Sequence, residues 1–347
     1  MVHIGGRKGI MTGRELVTRT LLYEEVEKLP RDLWTIPYIN MYRKDELRRF
    51  LEVFPTDIIH PSGIHYGKSG YTSGKAYRKG TYIDEFGSIW EVLEDGVVGE
   101  VKDPIIKSIY DLRKYRLPWE ILNEANFSNQ IQAYNETDKF VVAGTFVRPF
   151  ERMQFLRGTQ NLLIDIALEE PIFIELRDRL HEFNIREMNL IATQAVDGVS
   201  FMDDWGMQQS LLISPNTWRK YFKPMYKEYC DIIHAAGKFV FFHSDGHTEA
   251  IYDDLIEIGI DAYNSQLFCM DIEKLGAKYA GKITFWGELD RQHILPFGTE
   301  DDVRASVRRI EKSMLGKKRS GFIAQCSWET VTPYANIIAG YDEFNKL

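Results

Sequence analysis

From Phe140 onward the chain repeats one rhythm: an apolar run of about six residues, then a helical stretch of ten or more. The runs are "FVVAGTF", "DGVSFMDD", "KFVFFH", "IDAYNSQ", "KITFWGE" and "GFIAQC". A helix between two short apolar strands returns the chain to the same end of the sheet, so the strands pair in parallel. At least six such units follow in series, enough for a doubly wound sheet or a closed barrel. No G-x-G-x-x-G follows any strand and no phosphate loop appears. Without a dinucleotide fingerprint, the expected α/β fold is a TIM (β/α)8 barrel.

The segments before and between these units set further expectations. Thr12 followed by Glu15 in "MTGRELVTRTLLYEEVEKLP" is a capping-box pattern, so an N-terminal helix is expected to run from there to Pro30, with residues 1–10 an extension before it. "LWTIPYINM" is a strand candidate. Residues 55–135, rich in Gly, Tyr, Ser and Asp, read as an elaborated insertion with short β pieces such as "SIWEVLEDGVVGEV". One long helical stretch covers 149–194, interrupted near Gly158 and Pro171, and one unbroken helix is expected after the N-cap Ser214 with Pro215 at its first position. No linker or repeat divides the chain, so 1–347 is taken as a single domain.

Composition removes several classes. The net charge is −8, from 43 basic and 51 acidic residues, which argues against a nucleic-acid surface. No run of about 18 apolar residues suggests a membrane span. The opening "MVHIGGRKGI" has no secretory signature, and three scattered cysteines (Cys230, Cys269, Cys326) make no disulfide framework, so a cytoplasmic protein is expected.

In a barrel of this kind chemistry gathers at the C-terminal strand ends. Here they carry Asp203-Asp204-Trp205, His243 and Asp245, Asn264 and Gln266, then Cys269, Glu288 and Asp290, and Cys326 with Glu329. His243, Glu288 and Cys326 come from three different strands, and imidazole, carboxylate and thiolate are all zinc donors, so these three are the expected metal ligands. Each has a bland alternative: a hydrogen-bonded strand-end histidine, a loop carboxylate, a buried small cysteine. His243, Asp245 and Asp204 are the candidate catalytic groups. Tyr66, Trp205, Asn264 and Gln266 are the candidate substrate contacts.

The stretches "LLISPNTWRKYFKPMYKEYCDIIHAAGKFVFFHSDGHTEAIYDDLIEIGIDAYNSQ", "MDIEKLGAKYAGKITFWGELDRQHILPFGTEDDV", "GTF...FERMQFLRG" and "MTGRELVTR" resemble the uroporphyrinogen decarboxylase superfamily, over nearly the whole chain from Met11. The resemblance implies a TIM barrel and one of two chemistries. Porphyrinogen decarboxylases need no cofactor and carry an arginine-bearing "MRQAGRY" after the first helix. This chain has "DLWTIPYINM" there, and Gln154 where they carry a tyrosine. The zinc methyltransferases of the superfamily bind metal through H-x-C and a later cysteine. His243 and Cys326 match two of these positions, and Asp245 stands at the third.

The resemblance therefore implies a methyltransferase that takes a methyl group from a small methoxylated or methylated donor. The acceptor would be a corrinoid carried by a partner protein, and the metal Zn2+. The resemblance also allows a homodimer. The alternatives are a metal-free decarboxylase or lyase acting on a carboxylated aromatic or pyrrole, and a barrel that only binds a ligand.

Overall fold

The structure is a computed structural model describing residues 11–61, 66–316 and 318–347, with Asn129 described by its backbone alone. The expected extension over 1–10 lies outside the described residues. Eight parallel strands form the barrel: β1 (Arg31–Thr35), β2 (Ile58–Ile59), β3 (Phe140–Gly144), β4 (Gly198–Met202), β5 (Phe239–Ser244), β6 (Ala262–Ser265), β7 (Thr284–Trp286) and β8 (Phe322–Trp328). They pair in the order β1-β8-β7-β6-β5-β4-β3-β2. The seam between β1 and β2 is closed by Asp57, whose N–H donates to the Arg31 carbonyl at 2.7 Å while its Oδ2 accepts from the Arg31 N–H at 2.8 Å.

That device recurs. Asp197 accepts from the Val141 N–H and Asp261 from the Val240 N–H, at 2.8 and 2.7 Å. An aspartate just ahead of β2, β4 and β6 thus satisfies the first or second amide of a neighbouring strand.

Two apolar layers follow from strand geometry. Ile58, Phe140, Val142, Phe241, Ala262, Trp286 and Ile323 point inward and pack with Val17 and Leu21. The N-terminal helix, Gly13–Leu21, therefore plugs the bottom of the barrel. Residues of opposite parity, such as Val240, Phe242, Phe322, Ala324 and Cys326, point outward under the helices.

The expected elements shift in places. Thr12 does cap the first helix, accepting from the Glu15 N–H at 3.1 Å, but the helix stops at Leu21, well short of Pro30. The strand candidate "LWTIPYINM" becomes β1, which starts earlier, and a short helix, Pro37–Tyr42. The region 55–135 is more than an insertion, because it supplies barrel strand β2. The rest of it holds an antiparallel meander, Gly80–Ile83, Ile89–Val92 and Glu100–Val101, and three short helices. Ser214 caps as expected, but the helix after it divides into Pro215–Tyr221 and Lys223–Ala235 ahead of Pro224, whose missing N–H cannot continue the ladder.

Candidate active site

The segments after β4 and β5 read "DDWG" and "HSDG", and the structure welds them together. The Asp203 N–H donates to the His243 carbonyl, the Trp205 N–H to Ser244 Oγ, and the Gly206 N–H to the Asp245 carbonyl, each at 3.0 Å. Gly246, at φ +78°, lies so close to Gly206 that a Cβ on it would sit 2.4 Å from the Gly206 carbonyl carbon. Only two glycines allow this approach. The weld brings Asp204 to His243: the Asp245 N–H donates to Asp204 Oδ1 at 2.9 Å, and His243 Nε2 lies 3.6 Å from Asp204 Oδ1 and 3.5 Å from Asp245 Oδ1. Among the described residues, Asp204, His243 and Asp245 are the group of His, Cys, Asp and Glu side chains whose donor atoms converge, all within 4.8 Å of one another.

Strand register orients the imidazole. His243 pairs across with Asn264 on β6, and its Nδ1 meets Asn264 Oδ1 at 2.6 Å. Asn264 is fully buried and its amide nitrogen donates to the Trp286 carbonyl and to Gln325 Oε1, so its oxygen must face the histidine. His243 therefore carries its proton on Nδ1 when neutral and turns the Nε2 lone pair toward the two aspartates.

Arg291, unremarked in the sequence, ties three strand ends together. Its guanidinium pairs with Asp245, lies 3.4 Å from Glu288 Oε1 and 3.6 Å from Glu329 Oε1. Burial pushes the Glu288 carboxyl up to about 8, against the pull of Arg291. A second overlooked group is Glu151, on the helix Pro149–Arg157. Burial and the nearby charge of Asp204 hold its carboxyl well above the usual range, close enough to His243 to feel that charge too. Its Oε2 is buried without a hydrogen bond, 3.8 Å from Arg148 Nη1. Asp203 positions this helix, accepting from the N–H groups of Phe150 and Glu151 at 2.7 Å. The sequence signal for both residues was a charge just beyond a strand end or a helix start, which is too common to single out.

His243 and Arg291 look into a cavity of about 870 Å3 at the barrel mouth. Its walls include Trp34, Tyr77, Tyr82, Trp90, Phe146 and Trp286, with Arg148, Arg152 and Glu329. The size and the aromatic lining suit a small organic molecule. Arg152 is already committed to Asp84 at 2.8 Å.

The expected residues do not all meet here: among the described residues, His243 converges with Asp204 and Asp245 and not with Glu288 and Cys326. Cys326 is buried on the outward face of β8 beside Tyr341 of the last helix, and desolvation raises its thiol to about 12. Inward positions on that strand belong to Ile323, Gln325 and Ser327. Glu288 reaches the histidine site through Arg291. Trp205, an expected substrate contact, is fully buried, stacked on Phe150 at 4.1 Å, with Nε1 bonded to the Tyr226 hydroxyl. Asn264 orients His243. Gln266 sits in a separate small cleft with Cys269 and Glu288. Tyr66 is one layer behind the cavity, packed on Phe146 at 4.4 Å and donating to Glu187 Oε1 at 2.5 Å.

The uroporphyrinogen decarboxylase (URO-D) family model matches residues 84–342. The chain belongs to that family. No curated protein matches its sequence. Among solved structures it is similar to a methyltransferase from Methanosarcina mazei, at TM-score 0.70 and 14% identity, covering 97% of this chain and 99% of that one. That likeness shows the barrel fold. A glycosylated endo-beta-1,4-xylanase from Gloeophyllum trabeum shares less, at TM-score 0.45 and 8% identity over 96% of this chain and 99% of that one. In this URO-D chain the stretch after the first helix lines the cavity with Leu33, Trp34, Thr35, Ile36 and Pro37. No helix among the described residues is long and apolar enough to cross a membrane.

Proposed function

We propose that this URO-D-family protein is a methyltransferase, taking a methyl group from a small methoxylated or methylated molecule and passing it to a corrinoid carried by a partner protein. The observation that carries the reading is the Asp204–His243–Asp245 cluster, with a pre-oriented Nε2, whose histidine lines an aromatic cavity. One imidazole and two carboxylates, with no thiolate, suit Zn2+ or another divalent cation that accepts nitrogen and oxygen donors. A metal held there supplies Lewis-acid polarisation of the donor's heteroatom.

The chain's own groups do the rest. Asn264 keeps His243 in one tautomer. Arg291 offsets the charge that Asp245, Glu288 and Glu329 would otherwise pool at the rim. Glu151, kept protonated by burial, is an acid near Asp204. The apolar wall from Leu33 to Pro37 takes the place of an arginine-bearing carboxylate grip, which favours methyl transfer over decarboxylation.

Elemental analysis tests the metal directly. Wild-type protein and Cys326→Ala should bind one divalent ion per chain, and His243→Ala and Asp204→Ala should lose it. Equal metal content in all four would sink the site. Turnover of methyl donors should require an added corrinoid protein; corrinoid-free release of CO2 from an aromatic carboxylate would favour the decarboxylase instead.

A further inference from the structure

The same cavity holds a histidine that the cluster does not use. His60 follows β2, lines the cavity, and keeps 36% of its side chain exposed. Its Nε2 lies 3.1 Å from Oδ2 of Asp32, a carboxylate on β1 that is only 1% exposed. That oxygen also accepts from the indole N–H groups of Trp34, at 3.2 Å, and Trp286, at 3.0 Å, while Oδ1 accepts from the Leu33 N–H at 2.9 Å. This carboxylate is buried and fed by donors only.

Because the carboxylate accepts, His60 Nε2 must be the donor. Nδ1 has no bond among the described residues, and the ring lines the cavity. Trp286 stacks against the imidazole at 6.0 Å and 21°, and Trp34 stands edge-on between Trp286, at 4.9 Å, and His243, at 5.1 Å. Two histidines from opposite strands thus border one aromatic wall, each with its inner nitrogen fixed by a buried amide or carboxylate.

We propose that Asp32 and His60 form a second acid/base dyad of this cavity, with Nδ1 acting on the bound molecule. Resting on the methyl-transfer reading, the step balances as follows. The bond from heteroatom to methyl breaks, and its electron pair stays on the heteroatom. The methyl carbon bonds to the incoming corrinoid nucleophile through the nucleophile's own pair. The Nδ1 proton passes to the heteroatom, and solvent later reprotonates the neutral ring. Asp32 is the charged group bonded to His60 among the described residues, and against the opposing desolvation its charge and hydrogen bond raise the imidazole above the ordinary histidine value. The acid form therefore persists to higher pH than that of an ordinary histidine, and is lost as pH rises through that raised value.

His60→Gln is the test, read against wild type for melting temperature, turnover and pH profile, with histidine 15N resonances followed in both and in Asp32→Asn. The variant should fold, turn over roughly a hundredfold slower or worse at neutral pH, and lose the basic limb of the profile. The resonance that vanishes in His60→Gln should titrate above about 6.5 and move lower in Asp32→Asn. A wild-type rate and profile in His60→Gln overturns the proposal. So does a His60 resonance indifferent to Asp32→Asn. Wild-type protein inert toward every methyl donor would overturn the methyl-transfer reading instead, and the resonance alone then decides the dyad.

Discussion

At the residue scale, the site turns on which atom of each side chain is already spoken for. Asn264 spends its amide on a carbonyl and a glutamine so that its oxygen can hold His243 Nδ1. Asn264→Ala should leave the fold in place yet weaken metal binding about ten- to a hundredfold, because the imidazole loses its tautomer and its aim. Metal titration by calorimetry measures this. Glu187 shows the opposite condition, a buried carboxyl with too few donors. It accepts from Tyr66 and the Phe146 N–H on Oε1, while Oε2 has no partner. Burial raises it to about 7. A carboxyl raised in the folded state contributes stability that is full below its ordinary value and lost as pH rises to about 7. Glu187→Gln should flatten the fall in stability across that interval, as seen by urea unfolding at pH 5 and pH 8; an unchanged slope would show that Glu187 does not carry it.

At the element scale, the decisive structure is the pair of loops after β4 and β5. Neither loop holds a site alone. Four backbone links and the contact of Gly206 with Gly246 set Asp204 beside His243 and Asp245. Gly246→Ala demands both a left-handed alanine and room that the Gly206 backbone occupies. It should cost about 2 kcal/mol or more and abolish metal binding together with stability, by denaturant titration and metal analysis of the same sample. The repeated D-x-x-G and H-x-D-G spacing was visible in the sequence, but nothing there said that the two loops touch. The outer helices were more legible, because caps such as Ser214 and stops such as Gly259 act locally. The misjudged ends, at Leu21 and at the break before Pro224, depend on what the next segment must reach.

At the scale of the whole molecule, closure of the barrel makes the site possible, since Asp32 on β1 and His60 after β2 meet across the seam, and His60 shares a cavity with His243. Asp57 is the clasp, bonded to the Arg31 backbone and paired with Lys28 and Arg31 at 3.6 and 3.7 Å. Asp57→Ala should cost about 2–4 kcal/mol, because it strands a buried amide and the Arg31 guanidinium together. Equilibrium unfolding checks it, and a loss below about 0.5 kcal/mol would show that the seam holds without the clasp.

By itself the sequence determined the barrel, through the length and order of its apolar and amphipathic segments, and the rim on which chemistry would gather. It also marked His243, Asp204 and Asp245 among the reactive strand ends. Only the tertiary structure decided which of those ends face one another. Strands buried on both faces carry apolar residues at every position, so "FVFFH" and "FIAQC" show no alternation from which parity can be read. Packing turned His243 inward and Cys326 outward, and that difference in parity sets the histidine beside two aspartates rather than the cysteine.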